Sequence, residues 1–182
     1  MSDCNINSLK KRTINTTTLF DVNEYTIQLK TGKTVVHHTA ERRPTVSVLP
    51  VTKDGEVYLV SQYRYLLGKT SLEAMAGFVD EGESALHAAK RELSEETGIQ
   101  ADSWEELGTF ELSASVFKGE NHIFLARDLT LGDSHQEEDE DITVVKMPIE
   151  KAVQKVFTGE INVSSSVIGI LLLERLKKEK KL

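Results

Sequence analysis

Between Gly77 and Ile99 the chain reads GFVDEGESALHAAKRELSEETGI, and no other stretch limits its possible folds as strongly. The spacing predicts a helix over Ser84–Thr97, with Leu86, Ala89 and Leu93 as an apolar stripe. Ser84 is placed to cap its start, and Gly98 to end it in a left-handed conformation. A helix with one apolar stripe has to bury that stripe against a second layer. Away from the stripe, Glu92, Glu95 and Glu96 follow the i, i+3, i+4 pattern that puts side chains on one helix face. On this reading the face is at the surface, with the small Ala85 and Ala88 beneath it leaving room for a ligand. Carboxylates this close repel one another unless something cationic intervenes. Arg91 can reach Glu95, but one arginine does not balance the cluster. Magnesium, a hard ion that takes oxygen ligands and bridges carboxylates to phosphates, would. A solvated acidic face is the ordinary alternative. Against it stand Ala76-Gly77 and the loop Asp80-Glu81-Gly82-Glu83, whose glycines permit tight turns and close backbone approach.

The rest of the chain supplies the second layer. Thr13–Phe20, Glu24–Lys30 and Lys33–His38 read as short strands, with turns at Asp21-Val22-Asn23 and Thr31-Gly32. Thr45–Val51 and Glu56–Gln62 read as a hairpin turning at Lys53-Asp54-Gly55. Further strands are expected at Glu105–Leu112, Asn121–Ala126 and Ile142–Met147, and helices at Ile149–Thr158 and Ser164–Lys178. Gly132–Asp141 reads as an acidic loop. The break at Arg42-Arg43-Pro44 divides the 182 residues into an N-terminal β element, 1–41, and a main domain, 42–182. Cys4 is the sole cysteine, so no internal disulfide is possible. A formal net charge of −7 argues against a broad nucleic-acid surface. An anionic substrate would need local help from metal ions and placed arginines. With neither a membrane-length apolar run nor a leader-like opening stretch, a cytoplasmic protein is expected.

The segment matches the Nudix box, G-x5-E-x7-R-E-U-x-E-E-x-G-U with U aliphatic. Gly77, Glu83, Arg91, Glu92, Leu93, Glu95, Glu96, Gly98 and Ile99 fill every fixed position. The resemblance implies an α/β class protein with a Nudix fold, an α/β/α sandwich around a mixed sheet, here with an N-terminal antiparallel β extension. It implies Mg2+-dependent hydrolysis of a nucleoside diphosphate linked to another group, with Mn2+ as an alternative ion. By the same analogy Glu92, Glu96 and the carbonyl of Ala76 are metal ligands, Glu95 stands close by, and Arg91 and Glu83 orient the cluster.

The flanks speak to substrate. Gln62-Tyr63-Arg64, and Glu73 leading through Ala74-Met75 to Ala76-Gly77, look like signatures of ADP-ribose and nucleoside-diphosphate-sugar pyrophosphatases. The stretch from Ile161 to Ile168 resembles the start of the last helix in that subfamily. Ser113–Phe117 lacks a proline common in ADP-ribose enzymes, which leaves other sugar nucleotides open. Arg42, Arg64 and Glu73 are the candidate substrate contacts, with Phe20 or Tyr25 as a base-stacking ring. The E-x-E-D-I pattern before Ile142 selects Glu138 and Glu140, one as catalytic base and the other as metal ligand or water positioner; Glu140 therefore joins the candidate ligands. The resemblance also implies a homodimer built through the N-terminal strands, a small nucleotide-sugar substrate, and neither nucleic-acid nor membrane partners. Hydrolysis of a dinucleoside polyphosphate or an oxidised nucleoside triphosphate, a non-catalytic nucleotide-sensing module, and a structural acidic protein are the competing readings.

Overall fold

The computed structural model describes residues 5–132 and 142–182. These fall into two compact units, one of residues 5–44 with 111–120, the other of residues 45–110 with 121–132 and 142–182.

In the first unit, β1 (Ile6–Thr16), β2 (Asp21–Leu29), β3 (Thr34–Glu41) and β9 (Phe117–Lys118) make a sheet in the order β1-β2-β3-β9. β1 and β2 are antiparallel, as are β2 and β3. β9 adds in parallel from far along the sequence. The first strand starts earlier than its sequence pattern suggested, and the reversal falls at Thr17–Phe20 rather than at Asp21-Val22-Asn23. Thr17 explains the shift: its Oγ1 accepts from the amides of Leu19 and Phe20 at 3.2 and 2.9 Å, a side-chain-stabilised turn. Asn23, read as a turn residue, is buried in β2 and accepts from Thr13 Oγ1 at 2.7 Å.

The second unit carries a mixed sheet in the order β7-β4-β10-β8 and a smaller sheet, β11-β5-β6. Its strands are β4 (Thr45–Pro50), β5 (Glu56–Arg64), β6 (Lys69–Glu73), β7 (Met75–Phe78), β8 (Ile99–Glu111), β10 (Glu120–Leu131) and β11 (Ile142–Pro148). Its helices are α1 (Ala85–Thr97), α2 (Ile149–Phe157) and α3 (Ser164–Lys178). β4 is buried along its whole length, as a strand covered on both faces must be. Val46 and Val48 pack with Ala88, Ala89 and Leu93 of α1. Leu49 packs in a separate cluster with Ile170 and Leu173 of α3 and Ala152 of α2. The layers are therefore helix, sheet, helix. The reversal at Lys53–Gly55 forms, but β4 and β5 are not a hairpin. They share only the Val51–Val57 bridge and then enter different sheets, because β7 and β10 already occupy both edges of β4. No helix among the described residues is long and apolar enough to cross a membrane.

Candidate active site

The caps of α1 are those the sequence predicts. Ser84 Oγ accepts from the His87 amide at 3.2 Å, and Gly98 sits at φ 71°. The helix is rotated from the expected register. Leu86 is 37 % exposed, whereas Ala88, assigned beneath the glutamates, is fully buried in the core. Glu96, expected at the surface, is only 5 % exposed. Glu92 and Glu96 thus turn inward, while Glu95 stays exposed and Ala89 and Leu93 of the expected stripe are buried. Gly77 permits this: a Cβ there would lie 1.8 Å from Glu92 Oε1, so the carboxylate occupies space only glycine leaves empty. The Glu92 carboxylate therefore lies against Gly77, next to Ala76 in the chain.

Arg91 ties this region together. Its Nε and Nη2 donate to the two oxygens of Glu83 at 3.3 and 3.1 Å, and Nη2 also donates to the Phe78 carbonyl at 2.9 Å. Its Nη1 donates to Glu92 at 2.8 Å and to Glu95 at 3.1 Å. One guanidinium thereby spans the end of β7, the loop and the helix. The hydrogen bonds it donates to Glu83, and then the charge of Glu92, raise its pKa. Reciprocally, Arg91 holds the Glu83 carboxyl below its ordinary value. Sequence reasoning missed the Phe78 carbonyl, a backbone group whose part no side-chain pattern signals.

Arg64 and Glu73 meet across β5 and β6. Nε and Nη2 of Arg64 donate to Oε1 and Oε2 of Glu73 at 3.0 and 2.8 Å, a forked pair whose carboxylate is buried. The two subsidiary motifs of the sequence are thus physically joined. In the other unit, Phe20, Asp21, Glu41, Arg42 and Arg43 line a cleft of about 400 Å³. The Arg42 guanidinium stands 5.6 Å from the Phe117 ring centre, and burial lowers its pKa. Tyr25, the other stacking candidate, donates its hydroxyl to Glu41 at 2.5 Å. Trp104 packs edge-on against Phe124, with ring centres 6.4 Å apart. Glu138, Glu140 and Cys4 lie outside the described residues.

The oxygen-only donors Glu92, Glu95, Glu96 and the Ala76 carbonyl suit a hard divalent cation, and their charge exceeds what Arg91 supplies. Among the described residues, no three acidic, imidazole or thiol groups form a preformed metal cluster.

A family model described as NUDIX domain matches residues 41–164. The chain belongs to the NUDIX family. An ADP-ribose pyrophosphatase of Bacillus subtilis (strain 168) is 30% identical over 174 residues, covering 92% of this chain and 94% of the relative. A GDP-mannose pyrophosphatase of Yersinia pestis (strain Pestoides F) is 31% identical over 163 residues, 82% of each. The Nudix architecture also matches a crystal structure of an ADP compounds hydrolase, with a TM-score of 0.81, 25% identity and 96% of both chains covered.

Proposed function

We propose that this Nudix chain hydrolyses the pyrophosphate bond of ADP-ribose or a related nucleoside diphosphate sugar. The products are a nucleoside monophosphate and a sugar phosphate: AMP and ribose 5-phosphate in the ADP-ribose case. The observation that carries the reading is Glu92 laid against Gly77 while Arg91 braces the box loop and helix. The ADP-ribose and GDP-mannose pyrophosphatases among its relatives support the substrate class.

Glu92, Glu96, the Ala76 carbonyl and Glu140 would hold Mg2+, or Mn2+ in its place. When bound, the ion supplies positive charge to the phosphate oxygens and acidifies the attacking water. Arg91 and Glu83 keep the carboxylates aimed. As the water oxygen joins one phosphorus, the bridging P–O bond breaks, and the water proton passes to Glu138 or Glu140. Arg42 and Arg64 contact the substrate, Arg64 being held in aim by Glu73. Gln replacement of the base should lower kcat by a factor of about 10²–10⁴ with KM changing far less. Near-normal kcat in both Glu138→Gln and Glu140→Gln would move the base to Glu95.

A homodimer through the N-terminal sheet completes the proposal, because the first strand exposes Ile6, Leu9 and Ile14 along its length. Light scattering that gives a monomer at micromolar concentration refutes that part. The substrate test is a panel of ADP-ribose, GDP-mannose, UDP-glucose and a dinucleoside polyphosphate with Mg2+, products separated by chromatography. Preferred cleavage of the dinucleotide, or none of any substrate, overturns the reading.

A further inference from the structure

Ala74 is the single residue between β6 and β7, where the chain leaves the smaller sheet and enters the mixed one. Glu73 is still paired with Val60 of β5, and Met75 is already paired with Val48 of β4. The Ala74 amide is at the crossing, and the residue is 2 % exposed. A buried amide outside a ladder needs another acceptor. It donates to Ser166 Oγ at 2.9 Å, a contact between residues 92 positions apart. Ser166 is itself 1 % exposed, in the first turn of α3, and Ile170 and Leu173 of that helix are buried in the core. A hydroxyl on a rigidly packed helix thus holds the crossing from outside either sheet.

What stands on each side of the crossing gives this contact its consequence. Immediately before it, Glu73 grips Arg64. Just after it come Ala76 and Gly77, and Glu92 is laid against Gly77 with no room for a side chain there. A small displacement at Ala74 is passed along a short, paired strand directly to that contact.

We infer that Ser166 is a positioning residue for the metal site: through the Ala74 amide it sets where Ala76 and Gly77 stand against Glu92. The inference rests on the metal-site reading above. Its effect should appear as weakened ion binding even without substrate, since partners that orient a metal site are worth about 10- to 100-fold in affinity.

The test is Mn2+ binding to the full chain without substrate, read from the EPR signal of the free ion. It compares the native protein with Ser166→Ala, Ser166→Cys, Ile170→Val and Glu96→Gln. Ser166→Ala removes the acceptor. Ser166→Cys keeps the shape with a weak one, and carries the test if the alanine variant does not fold. Ile170→Val loosens the same helix and its core cluster while leaving the Ser166 hydroxyl in place. The expected result is a Mn2+ dissociation constant raised about 10-fold or more in Ser166→Ala, less in Ser166→Cys, and unchanged in Ile170→Val. Native-like Mn2+ affinity in a folded Ser166 variant, or an equal loss in Ile170→Val, reduces Ser166 to a packing contact and overturns the inference alone. Native protein whose Mn2+ binding is absent, or insensitive to Glu96→Gln, overturns the metal-site reading and the inference with it.

Discussion

Two arginine–carboxylate groups in the larger unit use the same chemistry to different ends. Arg64 and Glu73 form a fork between neighbouring strands, its carboxylate buried. Arg91 faces Glu83, Glu92 and Glu95 together, with Asp80 at 3.9 Å, so one positive charge stands among several negative ones. The first arrangement is a forked ion pair on a buried carboxylate. The second retains negative charge and fits a site completed by a divalent ion. Counting charges around an arginine separates a brace from a site better than counting ion pairs does, because exposed pairs are individually worth little.

The largest effect should come from the unbalanced group. Glu96→Gln should lower kcat by about 10²–10³, since an ion at this position supplies several kcal/mol of charge stabilisation and each 1.4 kcal/mol is tenfold. Excess chelator should abolish turnover, and Mg2+ should restore it. Because Glu96 is buried rather than at the surface, circular dichroism and a melting curve must accompany the assay. Full activity in the variant, or in chelator, would erase the difference between the two clusters.

A smaller effect is expected at the Arg64–Glu73 fork. Arg64→Ala should raise KM about 10-fold with kcat little changed, the signature of lost substrate binding through a charged hydrogen-bond donor. It should also cost stability, about 1–3 kcal/mol, by leaving the buried Glu73 carboxylate without its fork. A stability loss with an unaltered KM would show the pair to be a brace only.

The smallest effect concerns pH. Arg91, by hydrogen bonding, lowers the folded-state pKa of Glu83 below its ordinary 4.5. A depressed carboxylate stabilises the fold above its unfolded pKa, and that contribution is lost as pH falls through the folded value. Below about pH 4.5 the native melting temperature should therefore fall more steeply than that of Glu83→Gln. Parallel curves would mean that the clamp contributes nothing measurable.

Much of this arrangement was legible in the chain because it is local. The box helix, its Ser84 and Gly98 caps, and the grouping of Glu92, Glu95 and Glu96 with Arg91 follow from helical periodicity within a few turns. The bounds of α3 were read in the same way. The two arginines and Glu73 were legible as residues, but the fork that joins them depends on how β5 and β6 pair. Local signals misled where a side chain outside the pattern decided: Thr17, not the Asp21–Asn23 stretch, makes the first reversal.

By itself, then, the sequence determined which residues bear the chemistry and which helix carries them, because helix geometry is set by neighbours in the chain. Only the tertiary structure decided which way that helix faces. Leu86 ends exposed and Glu96 buried because β7 offers a glycine at 77 for Glu92 to lie against. It alone brought β9 to the N-terminal sheet and Ser166 to Ala74. Contacts between residues so far apart depend on the packing of whole layers and on buried amides that must find an acceptor, and no local period records either.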